Sequence, residues 1–269
     1  TSDGTDISWA AGGGEAVTFP SDWSSPNNTY TSSGTWSKGS LGDDDYVWIY
    51  LMGGGGGGGS MNSSLISNGG DGGQPLFLYG KAKVFNGGAY VIAAEKAGNS
   101  SDYRQAAGNH TSFTLSSANG SAVYTTADGS DDTTSSRFFT VFAEALDAVD
   151  LASFSDYTLK SKPDEPILYE DAGLPSGVAF RYYAPGKLYN DPAAAEHCIF
   201  GGGNGGGYQV FPSYNFLALQ GTSEFCGAGG ATAATGAAGT APGGGGGGSR
   251  NQSNAGGTGA QGNMRVYHV

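Results

Sequence analysis

Seven consecutive glycines, Gly53 to Gly59, follow without a break on Asp45-Tyr-Val-Trp-Ile-Tyr-Leu-Met52, an apolar run with the residue content of a buried β-strand. Glycine loses more backbone freedom on ordering than any other residue. A flexible linker normally sits between polar, turn-forming neighbours, whereas this tract is fed by residues that demand burial. A glycine tract fused to a core strand is either a mobile loop or a place where only a hydrogen side chain fits. The pattern recurs after Cys198-Ile-Phe200, where Gly201 to Gly207 is interrupted once by Asn204, and again at Gly243 to Gly248. Three recurrences favour an architecture over an accident.

The composition supports that reading. Glycine accounts for 50 of 269 residues, more than about twice the usual share, and charged residues for only 13%. An aromatic content of 12% separates the chain from disordered low-complexity sequences, which are poor in aromatics. The length suffices for one large or two ordinary domains and a buried core. The net charge is −12, and the 12 Lys and Arg residues are scattered. Nucleic acid is therefore excluded as an expected partner, because phosphate binding needs clustered cations. Anionic lipid is disfavoured on the same ground, and no apolar stretch reaches the length of a membrane-spanning helix. Thr1, standing where Met would, reads as a processed, trimmed or fragment start.

Two cysteines, Cys198 and Cys226, are compatible either with a disulfide closing a loop over 199–225 or with two small apolar core residues. Asn-x-Ser/Thr sequons at Asn27, Asn62, Asn99, Asn109, Asn119 and Asn251 are what a chain rich in Asn, Ser and Thr produces by chance.

Along the chain, 1–28 reads as an irregular N-terminal attachment segment and 29–269 as one glycine-rich β domain. Strands are expected at 29–38, 46–52, 76–85, 88–95, 111–117, 121–126 and 264–269. Asn86-Gly87, Asn119-Gly120 and Asp128-Gly129 mark turns of antiparallel structure. Between about 130 and 195 glycine falls to background and prolines at 163, 166, 175, 185 and 192 punctuate the chain. That stretch reads as an inserted subdomain or a set of long ordered loops. Within it, Phe138 to Leu151 fits a strand followed by a short helix.

A search for chemistry yields little. Gly53 to Gly59 before Ser60 lacks the Gly-Lys-Ser/Thr ending of a phosphate loop, and Gly201 to Gly207 lacks the βαβ setting of a dinucleotide site. His110, His197 and His268 show no metal-ligand spacing. Asp43-Asp44-Asp45 and Asp131-Asp132 match no EF-hand loop and read as solvated turns. Asp164, Glu165, Glu170 and Asp171 are carboxylates of the kind a glycosidase needs, but they lie in a Pro-rich stretch that favours the surface. Neither a catalytic residue nor a metal or cofactor is expected, and the chain is read as a non-enzyme.

Ser33-Gly-Thr-Trp-Ser-Lys38, then Tyr46 to Met52, then a polyglycine run, and finally Gly259-Ala-Gln-Gly-Asn-Met-Arg-Val-Tyr-His-Val269 together resemble the glycine-rich domain at the C-terminal ends of bacteriophage tail fibres. In that family an sGTWtkP strand precedes a strand ending in GGGGGG, and the chain closes on GxxGxxGxvrVy. The resemblance covers roughly 29–60 and 197–269. It lacks the usual proline after Lys38 and finds no counterpart for 130–195. The chain is also similar in style to the tip adhesins of T-even-like phages, whose glycine runs form packed polyglycine II helices.

The resemblance implies a mainly β fold with a polyglycine II helix stack, β-strands framing glycine-rich rods, long ordered loops and little α-helix. The scaffold would be Gly53, Gly54, Gly55, Gly56, Gly57, Gly58 and Gly59, then Gly201, Gly202, Gly203, Gly205, Gly206 and Gly207, then Gly243, Gly244, Gly245, Gly246, Gly247 and Gly248. It further implies a fibre-tip protein of the virion, outside the cell, that binds a host surface protein or glycan through exposed loops. Its other partners would be fibre proteins, with the chain a homotrimer or a monomer capping a trimeric fibre. Receptor contacts are expected from aromatic residues in the loops: Phe180, Tyr182, Tyr183, Tyr189, Tyr208, Phe211, Tyr214 and Phe216. For each the competing expectation is packing into the core or over a glycine helix. Two other functions stay open, a purely structural head-fibre or decoration component and a surface-polysaccharide depolymerase.

Overall fold

The fold is that of a computed structural model, which describes residues 20–61, 66–103, 105–126, 201–210, 215–217, 220–223 and 225–269, with short pieces at 166–168, 179–181 and 197–198. It is mainly β with almost no helix. The strands are β1 (Asn28–Tyr30), β2 (Gly34–Thr35), β3 (Tyr46–Met52), β4 (Ile66–Ser67), β5 (Pro75–Lys81), β6 (Ala89–Val91), β7 (Ser112–Thr114) and β8 (Val123–Thr125). They continue with β9 (Pro166–Leu168), β10 (Ala179–Arg181), β11 (His197–Cys198), β12 (Tyr208–Val210), β13 (Asn215–Leu217), β14 (Thr222–Ser223) and β15 (Asn263–His268). One helical turn, α1 (Ala82–Phe85), follows β5.

Two antiparallel four-stranded sheets form the base, ordered β1-β15-β3-β5 and β2-β6-β7-β8. As its unbroken apolar run implies, β3 is covered on both faces. Val47, Ile49 and Leu51 join Leu76, Leu78, Met264 and Val266 against Trp36, Phe85, Tyr90, Phe113 and Tyr124 of the second layer. Trp48, Tyr50 and Met52 point the other way, into an aromatic cluster with Phe77, Tyr79 and Tyr267 that Trp23 packs against. The strand expected over 76–85 ends earlier. The Ala82 N–H donates to the Asp45 carbonyl and the Lys83 N–H to that of Asp43, turning the chain into α1.

Tyr267 lies within this second cluster and donates its hydroxyl to the Trp23 carbonyl at 2.8 Å. Burial raises its pKa above the usual value. Since the neutral phenol is the buried form, the unfolded chain ionises first, and stability falls as pH rises above about 10. Tyr267→Phe is expected to flatten that alkaline loss in unfolding curves between about pH 9 and 11.

At Gly53, Gln74 and Gly262 three of the first sheet's four strands, β3, β5 and β15, pass into a bundle of glycine-rich segments, and the hydrogen-bond pattern changes from a period of two to a period of three. The N–H groups of Gly53, Gly56 and Gly59 donate to the carbonyls of Gln74, Asp71 and Asn68. Those of Gly54, Gly57 and Ser60 donate to Asn109, Ala106 and Asp102, and those of Gly55 and Gly58 to Ala260 and Gly257. The first run thus donates to three neighbouring segments, each met at every third residue. The third run repeats the rule: Gly244 and Gly247 donate to Thr240 and Ala237, Gly245 and Gly248 to Gly203 and Gly206, Gly246 and Ser249 to Gly56 and Gly59. All the run glycines are buried, so these bonds answer the requirement that buried backbone groups be paired.

Close approach explains the residue choice. A Cβ placed on Gly55, Gly58, Gly202, Gly205 or Gly246 would lie inside the carbonyl of an adjacent segment. Among the run glycines, only Gly243 has positive φ, 78°, at the turn where the third run begins. Asn204, the interruption in the second run, is 3% exposed, and its Oδ1 accepts the Gly72 N–H at 2.8 Å. Asn204→Ala would orphan that donor and should lower unfolding free energy by about 1–3 kcal/mol in urea titrations.

Cys226 is not in a disulfide, and its sulfur lies 2.8 Å from the Tyr50 hydroxyl. Residues 1–19 and most of the stretch 130–195, including Phe138 to Leu151 and the four carboxylates from Asp164 to Asp171, lie outside the described residues apart from the pieces named above. Among the described residues no helix is long and apolar enough to cross a membrane.

Candidate functional site

The three glycine runs are parallel. Gly246 and Ser249 bond to Gly56 and Gly59 in the same order, as do Gly245 and Gly248 to Gly203 and Gly206. All three therefore begin at the base sheets and finish together at the opposite end, at Ser60, Gly207 and Ser249. The segments leaving the runs there build this tip. Tyr208 opens β12, which pairs with β4 on one side and β13 on the other to make a three-stranded tip sheet. Ser60 and Asn68 donate their N–H groups to Asp102 and Tyr103, drawing that connection to the same end.

Arg250, the first residue after the third run's closing Ser249, is exposed, with its guanidinium carbon 5.4 Å from the centre of the Tyr208 ring. Tyr208 itself is half-buried. Beside them lies an open groove of about 550 Å³ lined by Met61, Ala234, Arg250, Asn251, Gln252 and Ser253. Its polar wall is held in shape from within. Ser249 Oγ donates to the carbonyls of Ala234 and Asn251, and Asn251 Oδ1 accepts the Ser253 N–H at 3.0 Å. Asn254 Nδ2 donates to the Ala234 carbonyl at 3.0 Å, tying the wall to the neighbouring loop. Among the described residues, such a surface offers one cation, held over an aromatic ring, and several amide and hydroxyl groups, which can orient a polar ligand.

Of the aromatic residues expected to touch a receptor, Tyr208 lies at this tip and Phe216 occupies β13, with Gln209 as its cross-strand partner. Phe211 and Tyr214, in the connection between those strands, lie outside the described residues, as do Tyr182, Tyr183 and Tyr189. Phe180 belongs to the β9–β10 ladder, opposite Ile167. Sequence reasoning passed over Arg250 and the polar run behind it because it sought aromatics. The signal that could have found it was a cation placed directly where a glycine run ends.

Among the described residues no group of three or more His, Cys, Asp or Glu side chains could hold a metal ion. His110 Nδ1 lies 2.6 Å from the Thr126 carbonyl, far along the chain from the other histidines. In the acidic turn Asp43 pairs with Lys38 at 3.2 Å. Asp44 lies 3.1 Å from Lys83 and 3.5 Å from Lys81, and its carboxyl is held below the usual range first by the Lys83 hydrogen bond and charge. The turn is an ion-paired brace for α1. No family model matches the chain, and no curated protein is significantly similar to it.

Proposed function

We propose that this chain is a non-enzymatic tip adhesin of a phage-type tail fibre, in which a stack of polyglycine II helices holds receptor-binding loops away from the base. The observation that carries the reading is polarity. Residues 20–28 and β15 lie at the base sheets, while the loops following all three glycine runs meet at the far end. The three-residue hydrogen-bond period supports polyglycine II, which has three residues per turn and no internal hydrogen bonds, so that its amides must find neighbours. A scaffold this densely bonded preorganises the loops and reduces the entropy lost on binding. Several copies on a virion would add avidity to individually weak contacts.

The test is binding of fluorescently labelled protein to a panel of bacterial strains, beside a variant whose tip residues 208–216 are replaced and whose glycine run is left intact. Saturable binding to particular strains, lost in the variant, is the expected result. Absence of binding to every strain, with stable incorporation into fibres or capsids, would leave a structural virion component in its place. Shortening of a surface polysaccharide on incubation would instead identify a depolymerase.

A further inference from the structure

Resting on the adhesin reading, we infer that the tip groove walled by residues 250–253, Met61 and Ala234 is a carbohydrate subsite for a saccharide bearing one negative charge per recognition unit, a carboxylate or a phosphate. Four observations converge on this chemistry. Arg250 has no ion-pair partner among the described residues and is exposed at the groove, so its fork of donors is open to an acid. The Tyr208 ring lies beneath that guanidinium, a cation–π contact that holds the Arg250 head at the groove's edge. Asn251, Gln252 and Ser253 are exposed along the same wall and supply the donors and acceptors that hydroxyl groups need. Finally, the groove's volume of about 550 Å³ falls within the usual range for small-ligand sites.

The surroundings narrow the choice. Among the described residues the apolar side chains lining the groove are those of Met61 and Ala234, a small surface for the aromatic or aliphatic anchor of a typical protein partner. A net charge of −12 repels polyanions at long range, and a single arginine cannot reverse that field. A ligand with one acid among many hydroxyls meets the local cation without incurring the full repulsion.

The experiment uses the full chain on an immobilised panel of tetrasaccharides: uronic-acid-containing, sugar-phosphate-containing and neutral. The same uronic tetrasaccharide after carboxyl reduction is included. Wild-type protein should bind acidic members at least about tenfold better than the neutral and reduced ones, and Arg250→Gln should remove about 10- to 100-fold of that affinity. Arg250→Lys, which keeps the charge but not the fork, should fall between the two. The acidic arms separate a uronic acid from a phosphate as the source. Acidic-glycan binding that Arg250→Gln leaves unchanged would overturn the site. Cell binding that survives periodate oxidation of surface sugars, but is lost after protease treatment, would overturn the glycan class while leaving the adhesin reading intact. Failure to bind any cell or any glycan overturns both. Unaltered unfolding curves for Arg250→Gln exclude a folding artefact, as expected for an exposed side chain.

Discussion

Gly58→Ala is expected to unfold the protein or come close to it, lowering unfolding free energy by more than about 4 kcal/mol, a size reserved for a few mechanisms. The new Cβ would meet the Gly247 carbonyl, its carbon at 2.6 Å, with the Gly246 oxygen at 2.8 Å. These are backbone atoms of the neighbouring run, so no side-chain rotation relieves the clash. The two runs must separate, which weakens the bonds from Gly58 to Gly257, from Gly246 to Gly56 and from Ser249 to Gly59. Each is worth about 1 kcal/mol net, and more if its groups stay buried and unpaired. A typical domain has only about 5–15 kcal/mol in total. Gly54→Ala is the informative companion. Its Cβ would face the Ala94 oxygen at 3.1 Å and the Ala93 Cβ at 3.2 Å, contacts that a shift of a few tenths of an ångström relieves. Urea unfolding followed by circular dichroism should rank Gly58→Ala far below Gly54→Ala. Equal losses would show that the runs are loose and that glycine serves flexibility there.

Trp48→Ala should be the next most damaging single change, costing about 3–5 kcal/mol. Trp48 is 1% exposed in the middle of β3 and sits within 4.7 Å of Tyr79, 5.5 Å of Trp23 and 6.3 Å of Phe77, ring centre to ring centre. Its removal opens a void on the face of the sheet away from the second layer, where Trp23 closes the cluster. The Trp23 indole also stands 5.0 Å from Tyr267, so its emission should shift towards that of a solvated indole as the cluster loosens. A loss below about 1 kcal/mol, with unchanged emission, would mean that this face is not a working core.

How much of this was legible from the residues differs by element. β3 and β15 could be read directly, because a continuous apolar run and a closing Met-Arg-Val-Tyr announce buried strands. The glycine runs marked the centre of the bundle. Their neighbours were not legible. Residues 93–99, 102–109 and 236–241 mix Ala, Asn, Asp, Lys or Thr with only one or two glycines each, since each needs a bare backbone only where it faces a run, whereas 68–74 carries four. A period of three with so few glycines resembles ordinary loop sequence, and the strand expected over 88–95 accordingly absorbed part of one such neighbour. α1 was missed because its trigger is tertiary, the carbonyls of Asp43 and Asp45. At the tip, Tyr208 was named for its aromatic ring. Arg250, on which the proposed groove depends, was not, because its position there comes from the parallel alignment of runs far apart in the chain, a relation that no local pattern encodes.

The hydrogen-bond rule also governs how such a molecule can change length. Because each run meets the same neighbour again only after three residues, inserting one residue into Gly53 to Gly59 would put every later amide out of step with its partner. With the proposed polyglycine II geometry, three residues added in step across the segments would restore every pairing and lengthen the bundle by about 9 Å. Bundle height is in this sense quantised. Outside the paired strands of the tip sheet, by contrast, a connection beyond the runs has no repeating partner to keep in step, so its length can vary one residue at a time while the bundle beneath changes in threes.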